Sequence, residues 1–165
     1  MMKRSAFAIV LFLLGVLTGA TTWRFAFAHP ANADVAERFN VKRAGFERLR
    51  DMLLEDAKIR QVAPWGVRTI SDGLPQQPPT ADLSVERYRV YQSILSEIGA
   101  IGLMRSDGAD ADICVLMWAS GWAGGAIHVS VCRYARDDGP LMSVASSRFS
   151  YFSLGDHWYG VRDDI

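Results

Sequence analysis

Two cysteines and one histidine are the residues of this chain whose types could combine in one chemical site. Cys114 and Cys132 are the only cysteines among 165 residues, and His128 precedes the second by four positions. Thiolates and imidazoles are zinc ligands, and they also form Cys–His nucleophile pairs. In an oxidising compartment the same two cysteines could instead form a disulfide. The segment 114–132 is therefore a metal site, a thiol site or a hairpin with a cross-strand disulfide.

The spacing of these residues favours the hairpin. Structural zinc sites usually contain ligand pairs two to five residues apart, and the sequence has neither a CxxC nor an HxxxH pair. On one strand, His128 and Cys132 would lie about 13 Å apart, too far for a hydrogen bond. We therefore predict no catalytic residue, no metal ligand and no cofactor. A metal- or thiol-dependent site at Cys114, His128 and Cys132 stays as the alternative.

Alternating apolar residues on both sides of a glycine-rich centre predict two antiparallel strands. A loop symmetric about Ala123 would pair Cys114 with Cys132 and bring the two sulfur atoms side by side. A register shifted by two residues would keep the apolar face and separate the cysteines, so both registers stay open. Trp122 falls at the loop tip, where it either folds back onto the sheet or contacts a partner. It is the candidate partner-contact residue.

The first 28 residues indicate export from the cytoplasm. Residues 5–23 carry no charge and follow Lys3 and Arg4. This length suits one membrane span, and the preceding basic residues place the N-terminus in the cytoplasm. The segment 26–28, Ala-Phe-Ala, also fits a signal-peptide cleavage site. We expect a single-pass protein of the bacterial inner membrane with its C-terminal domain in the periplasm, or a periplasmic protein released by cleavage.

Helical and alternating patterns divide the exported part. Residues 1–28 form the signal anchor or signal peptide, 29–37 a spacer, and 38–165 a single domain. Apolar residues at helical spacing predict a first helix that Pro64 ends and a second that Ser84 caps and Gly99 or Gly102 ends. Alternating segments follow the second helix. The predicted fold class is α+β, with the two helices packed on a small antiparallel sheet of three to five strands.

The charge balance excludes one class of partner. The chain has 18 Lys and Arg and 18 Asp and Glu, so its formal net charge is zero. Without a basic surplus we expect no binding to nucleic acid. Half of the residues are hydrophobic, which is enough for a substantial core.

The order of these segments resembles a family of proteins. A single N-terminal span is followed by FERLRDMLLEDAKIRQVAP, by LSVERYRVYQSILSEIGAIGLMR and by a closing HWYGVRDD. This layout resembles a group of small, uncharacterised single-pass bacterial envelope proteins. The resemblance implies a membrane-anchored, non-enzymatic exported domain and supplies no site residues.

The function expected from the sequence is a non-catalytic protein-interaction module of the cell envelope, with an envelope protein as its partner. Two alternatives belong to other classes. One is the metal- or thiol-dependent site at the cysteines. The other is a small-ligand or lipid-binding domain with a pocket between the helices and the sheet.

Overall fold

The computed structural model describes residues 29–71, 73–105, 111–122, 125–135 and 148–164. These residues form two helices and seven strands, namely α1 (Asn32–Glu55), β1 (Ile59–Ala63), β2 (Gly66–Thr69), α2 (Val85–Ile98), β3 (Gly102–Met104), β4 (Ala111–Trp122), β5 (Gly125–Tyr134), β6 (Phe149–Gly155) and β7 (Trp158–Asp164). The α+β class and the two helices are confirmed, but the sheet has more strands than the three to five predicted. The expected membrane segment 5–23 lies outside the described residues. Neither described helix combines the length and the hydrophobicity that a membrane span requires.

Helix α1 begins and ends earlier than the apolar pattern indicates. It begins at Asn32, within the stretch assigned to the spacer, and Val35 in its first turn is already buried. Asp34 accepts a hydrogen bond from the Ala31 N–H at 3.1 Å. The prediction that this helix continues to Pro64 is wrong, because Ile59–Ala63 forms strand β1, which pairs with β2 on one side and β3 on the other.

Helix α2 confirms its predicted capping residue. The Ser84 hydroxyl accepts a hydrogen bond from the Arg87 N–H at 3.1 Å, which satisfies a free amide at the helix start. Gly99 ends the helix with φ of 70°, a left-handed conformation that glycine adopts without strain. The helix then packs closely against α1. A Cβ atom at Gly45 would lie only 2.5 Å from the Ile98 Cγ2 atom.

The sheet is antiparallel, with the strand order β2-β1-β3-β4-β5-β7-β6. Directly paired residues on neighbouring strands point to the same face. One such row joins Val62, Leu103, Val115 and Val131, and all four side chains are buried against the helices. Gly160 continues this row because it pairs with Val131. It is a glycine at this position because the Phe152 ring occupies the space that a Cβ atom would need.

The β4–β5 hairpin follows the symmetric register, one of the two that the sequence left open, only between the cysteines and Leu116. Cys114 pairs with Cys132, as the symmetric register predicts. A β-bulge between Leu116 and Trp118 then shifts the outer half, so that Ala119 pairs with His128 in place of Trp118. Such a bulge adds one residue to one strand and changes the pairing beyond it. Strand β4 also continues to Trp122, into the glycine-rich centre that the sequence analysis treated as a loop.

Candidate functional site

The two helices cover one face of the sheet, and no described helix or strand covers the other, here called the open face. Pairing places two cross-strand rows on this face. The first consists of Gln61, Met104, Cys114, Cys132 and Tyr159, and the second of Gly102, Leu116, Ser130, Val161 and Tyr151. Most of these side chains are apolar or aromatic, although an open sheet face usually carries polar residues.

A groove of about 280 Å³ lies on the open face. Its lining residues come from β1, β3, β4, β5, β6 and β7, so it crosses the sheet instead of following one strand. The apolar side chains of the lining include Ala63, Trp65, Met104, Leu116, Phe149 and Val161 together with the two cysteines. The groove therefore offers an apolar surface that spans most of the sheet.

Trp65 and Met104 form an exposed apolar rim of this groove. Their side chains are 51% and 45% exposed, respectively. Gly66 follows Trp65 with φ of 139°, and a Cβ atom there would meet the Gln76 carbonyl oxygen at 2.7 Å. The Gln77 side-chain amide donates to the Trp65 carbonyl oxygen at 2.8 Å. The backbone therefore holds Trp65 in a defined position while half of its side chain stays accessible.

A disulfide forms part of the groove floor. Cys114 and Cys132 are bonded to each other, with their Cα atoms 4.1 Å apart. This confirms the disulfide that the sequence allowed. Because both sulfur atoms are bonded, neither is a thiolate that could bind zinc or attack a substrate. A metal or thiol site at these residues would require the reduced pair. Within the described ranges, no cluster of three or more His, Cys, Asp or Glu side chains is placed to hold a metal ion.

One end of the groove is polar. His128 and Phe149 both pair with Asp163 across the strands, and Ser130 lies nearby on the same face as His128. The Arg148 Nε atom donates to Asp163 Oδ1 at 2.7 Å, and the Arg148 guanidinium lies 5.6 Å from the Phe149 ring centroid. The Asp163 carboxylate is therefore already engaged by a cation.

The described side chains at the polar end are not joined to one another by hydrogen bonds, apart from the Arg148–Asp163 pair. Among the described contacts, no hydrogen bond joins Ser130, His128 and Asp163. A serine nucleophile depends on a hydrogen-bonded base that a third group orients. Burial, with a smaller effect from the Asp163 charge, raises the pKa of the nearby Tyr151 hydroxyl. Tyr151 is thus a neutral hydrogen-bonding group on this face at physiological pH. The arrangement suits binding of an apolar group with polar contacts at one end.

The structure brings only some of the singled-out residues together. Cys114, Cys132 and His128 all line the groove. The Trp122 backbone pairs with Gly125 at the hairpin tip, and its side chain lies outside the described part of the structure. Sequence reasoning missed Trp65 and Met104. The available signal was Pro64-Trp65-Gly66 between two short apolar segments, a pattern typical of a hairpin turn. The ligand-binding alternative had its pocket between helices and sheet, whereas this groove lies on the opposite face.

Comparison with known proteins adds no functional information. No protein family matches the chain, and searches of curated proteins and of solved structures return no match. The function is therefore inferred from the residues and the geometry of the groove.

Proposed function

We propose that this protein is a membrane-anchored, exported interaction module that binds an apolar segment of an envelope protein in the groove of its open sheet face. One observation carries this proposal. An apolar groove with an exposed tryptophan on its rim lies on a sheet face that the described helices and strands leave open. Contiguous apolar surface of this kind marks interaction sites in soluble domains.

The open rim of the groove favours a protein segment over an enclosed small ligand. Small-molecule pockets typically measure about 300–1,000 Å³ and enclose most of their ligand. This groove has about the smallest of these volumes, about 280 Å³, and it is open along the sheet face. Its rim residues Trp65 and Met104 also remain about half exposed, so they can contact partner surface outside the groove. Tryptophan is one of the residue types most enriched at interface hot spots.

Two features support the exported location. The uncharged stretch 5–23 after Lys3 and Arg4 has the length and flanking charges of a membrane anchor. The Cys114–Cys132 disulfide is of the kind that persists outside the cytoplasm, where thiols are not kept reduced. The partner is then a protein of the same membrane or the adjoining compartment.

Cross-linking in living cells tests the proposal. The tagged full-length chain is expressed in a bacterial envelope in three forms, namely wild type, Trp65→Ala and Val41→Ala. Val41 is the matched control, because it is an exposed apolar residue (72%) on α1 and does not line the groove. Loss of a hot-spot tryptophan costs at least about 2 kcal/mol of binding free energy, which corresponds to more than a tenfold loss of affinity.

The expected result is one partner that co-purifies with the wild type and with Val41→Ala, and at strongly reduced yield with Trp65→Ala. Equal yields from wild type and Trp65→Ala would refute the groove as the binding site. Absence of any cross-linked partner in all three forms would count against an interaction module altogether.

A further inference from the structure

Arg68 of β2 lies on the open face, beside the end of the groove that β1 forms. It pairs directly with Gln61 of β1, whose side chain lines the groove. Its strand neighbours Val67 and Thr69 are buried on the face that the helices cover. Because successive side chains of a strand alternate between faces, Arg68 points to the open face. Directly paired residues have Cβ atoms about 4.5–5.5 Å apart, so the Arg68 side chain borders the groove.

The Arg68 guanidinium has no partner among the described residues. The side chain is partly buried, and its Nε atom is buried without a hydrogen-bond acceptor. Three other described arginines also have a buried, unbonded Nε atom, namely Arg50, Arg105 and Arg162. Each of those three donates a hydrogen bond through another nitrogen atom, whereas no described hydrogen bond or ion pair involves Arg68. Since a buried donor without an acceptor costs free energy, the isolated fold gains nothing from this cation.

The charges around the groove are not balanced. At the opposite end of the groove, the Asp163 carboxylate accepts a hydrogen bond from Arg148 at 2.7 Å, which compensates its charge. Asp163 is the only Asp, Glu, Lys or Arg among the described lining residues. The uncompensated charge is therefore that of Arg68, close to the exposed side chains of Trp65 and Met104. A cation beside an apolar surface is complementary to a partner that carries an anion beside an apolar group.

We propose that Arg68 binds the carboxylate of an aspartate or glutamate in the partner segment, next to the apolar side chain that occupies the groove. This inference rests on the proposed function, since it requires that segment to bind at the open face. A carboxylate accepts two parallel hydrogen bonds from one arginine, so it supplies the acceptors that the fold does not. Met104 lies two strands from Arg68, or about 10 Å. An extended segment covers that distance in about three residues.

The stability of the free protein gives a test that needs no partner. Arg68→Met removes the guanidinium and keeps an unbranched apolar side chain. Arg105→Met is the matched control, because the Arg105 guanidinium donates to the Leu53 carbonyl oxygen near the end of α1. In urea unfolding of the full-length protein, Arg68→Met should leave the midpoint unchanged or raise it, and Arg105→Met should lower it. An equal loss in both variants would show that Arg68 stabilises the fold, and it would overturn the proposal.

Selection from a random peptide library tests the chemistry of the bound segment. The target is the full-length protein in detergent micelles. Peptides selected by the wild type should carry Asp or Glu within about three positions of a large apolar residue. Arg68→Gln should select apolar peptides without this acidic residue. Arg48→Gln removes the same charge from an exposed position on α1 and should select the same peptides as the wild type. Wild-type peptides without acidic residues would overturn the role of Arg68.

The affinity of one selected peptide separates this proposal from the proposed function. Changing its acidic residue to the amide should weaken binding to the wild type at least about tenfold, with little effect on binding to Arg68→Gln. If the amide weakens binding to both proteins equally, the carboxylate binds elsewhere and the Arg68 proposal alone is overturned. If Trp65→Ala binds the peptide as tightly as the wild type, or if the wild type selects no peptide, the groove is not the binding site and both proposals fail.

Discussion

The two faces of the sheet are both apolar, yet only one of them is covered by helices. On the covered face, Val62, Leu103, Val115 and Val131 are at most 2% exposed. On the open face, Leu116, Val161 and Phe149 are only partly buried. Because the hydrophobic effect favours removing all such surface from water, the covered face explains the stability of the domain. We propose that a bound partner covers the apolar residues of the open face.

Polar contacts between the two helices also stabilise the edge of the covered face. Arg87 and Tyr91 of α2 both donate to Asp56 Oδ2, at 2.9 and 2.7 Å, just after the end of α1. Arg87 also donates to Glu55 at 2.7 Å. The open face has the Arg148–Asp163 pair, but that pair joins neighbouring strands and brings no second layer onto the sheet. The described polar contacts that join layers therefore belong to the covered face, and we propose that the open face binds a partner.

The largest expected effect on stability is at the centre of the covered face. Phe46 is fully buried and its ring packs 5.2 Å from Phe39 and 6.1 Å from Trp158 between ring centroids. Phe46→Ala should lower the free energy of unfolding by about 3–5 kcal/mol. The matched change on the open face, Leu116→Ala, should cost less than about 2 kcal/mol because Leu116 is only partly buried. Urea unfolding checks both, and equal losses would show that the two faces are equally well packed.

The disulfide should give the next largest effect. Its two cysteines are 18 positions apart, and closing a loop of that size restricts the unfolded chain by about 3 kcal/mol. The double variant Cys114→Ser, Cys132→Ser should lose about that much stability in urea unfolding. A reducing agent should lower the stability of the wild type to the same level. A wild type unaffected by the reducing agent would show that the disulfide is not formed in solution.

A smaller effect is expected where the two helices touch. Gly45→Ala would place a Cβ atom against Ile98, and overpacking of this kind costs about 1–3 kcal/mol. Alanine favours the helix over glycine by about 1 kcal/mol. A net loss of stability in Gly45→Ala would therefore show that the clash with Ile98 outweighs this gain. The loss should shrink in an Ile98→Ala background, where the obstructing methyl group is absent. If Gly45→Ala stabilises the protein instead, the close contact between the helices is wrong.

The smallest expected loss of stability comes from removing the hydrogen bond between Tyr91 and Asp56. Tyr91→Phe should cost about 1–2 kcal/mol at neutral pH. Burial, with the hydrogen bond to Asp56, raises the pKa of Tyr91. The Tyr91 hydroxyl contributes its full share of the folding free energy below pH 10, which is about the pKa of tyrosine in the unfolded chain. Above that pH the contribution decreases, because the unfolded tyrosine ionises while the folded one is still neutral. The stability difference between wild type and Tyr91→Phe should therefore narrow above pH 10. A difference that is constant from pH 8 to 11 would contradict the buried, neutral hydroxyl.

Local sequence signals were sufficient for the parts of the fold that local interactions determine. Ser84 and Gly99 mark the ends of α2 because capping depends on a few adjacent residues. The alternating pattern predicted the two strands of the hairpin, and the cysteine pairing follows one of the two registers that it left open. Strand β1 was missed because Ile59 continues the helical spacing of the α1 core residues. Only pairing with two distant strands makes that segment extended.

The groove could not be predicted for a related reason. Its lining comes from six strands, and a sequence does not show which faces of six strands meet. Strand β3 has three residues and is defined by its neighbours alone. The bulge after Leu116 changes the pairing of His128 without a local sequence signal. The chemistry of single residues was therefore easier to predict than their arrangement on the open face.

The most direct test of the open face as the binding face is site-specific photo-cross-linking in living cells. A photoreactive residue is placed at Met104 on the groove rim or at Val41 on α1, both of which are exposed. Each form is also combined with Leu116→Asp, which puts a charge in the groove. We expect one cross-linked partner from Met104, none from Val41, and loss of the Met104 product with Leu116→Asp. The same partner captured equally from both positions, or a Met104 product unaffected by Leu116→Asp, would contradict binding at the open face.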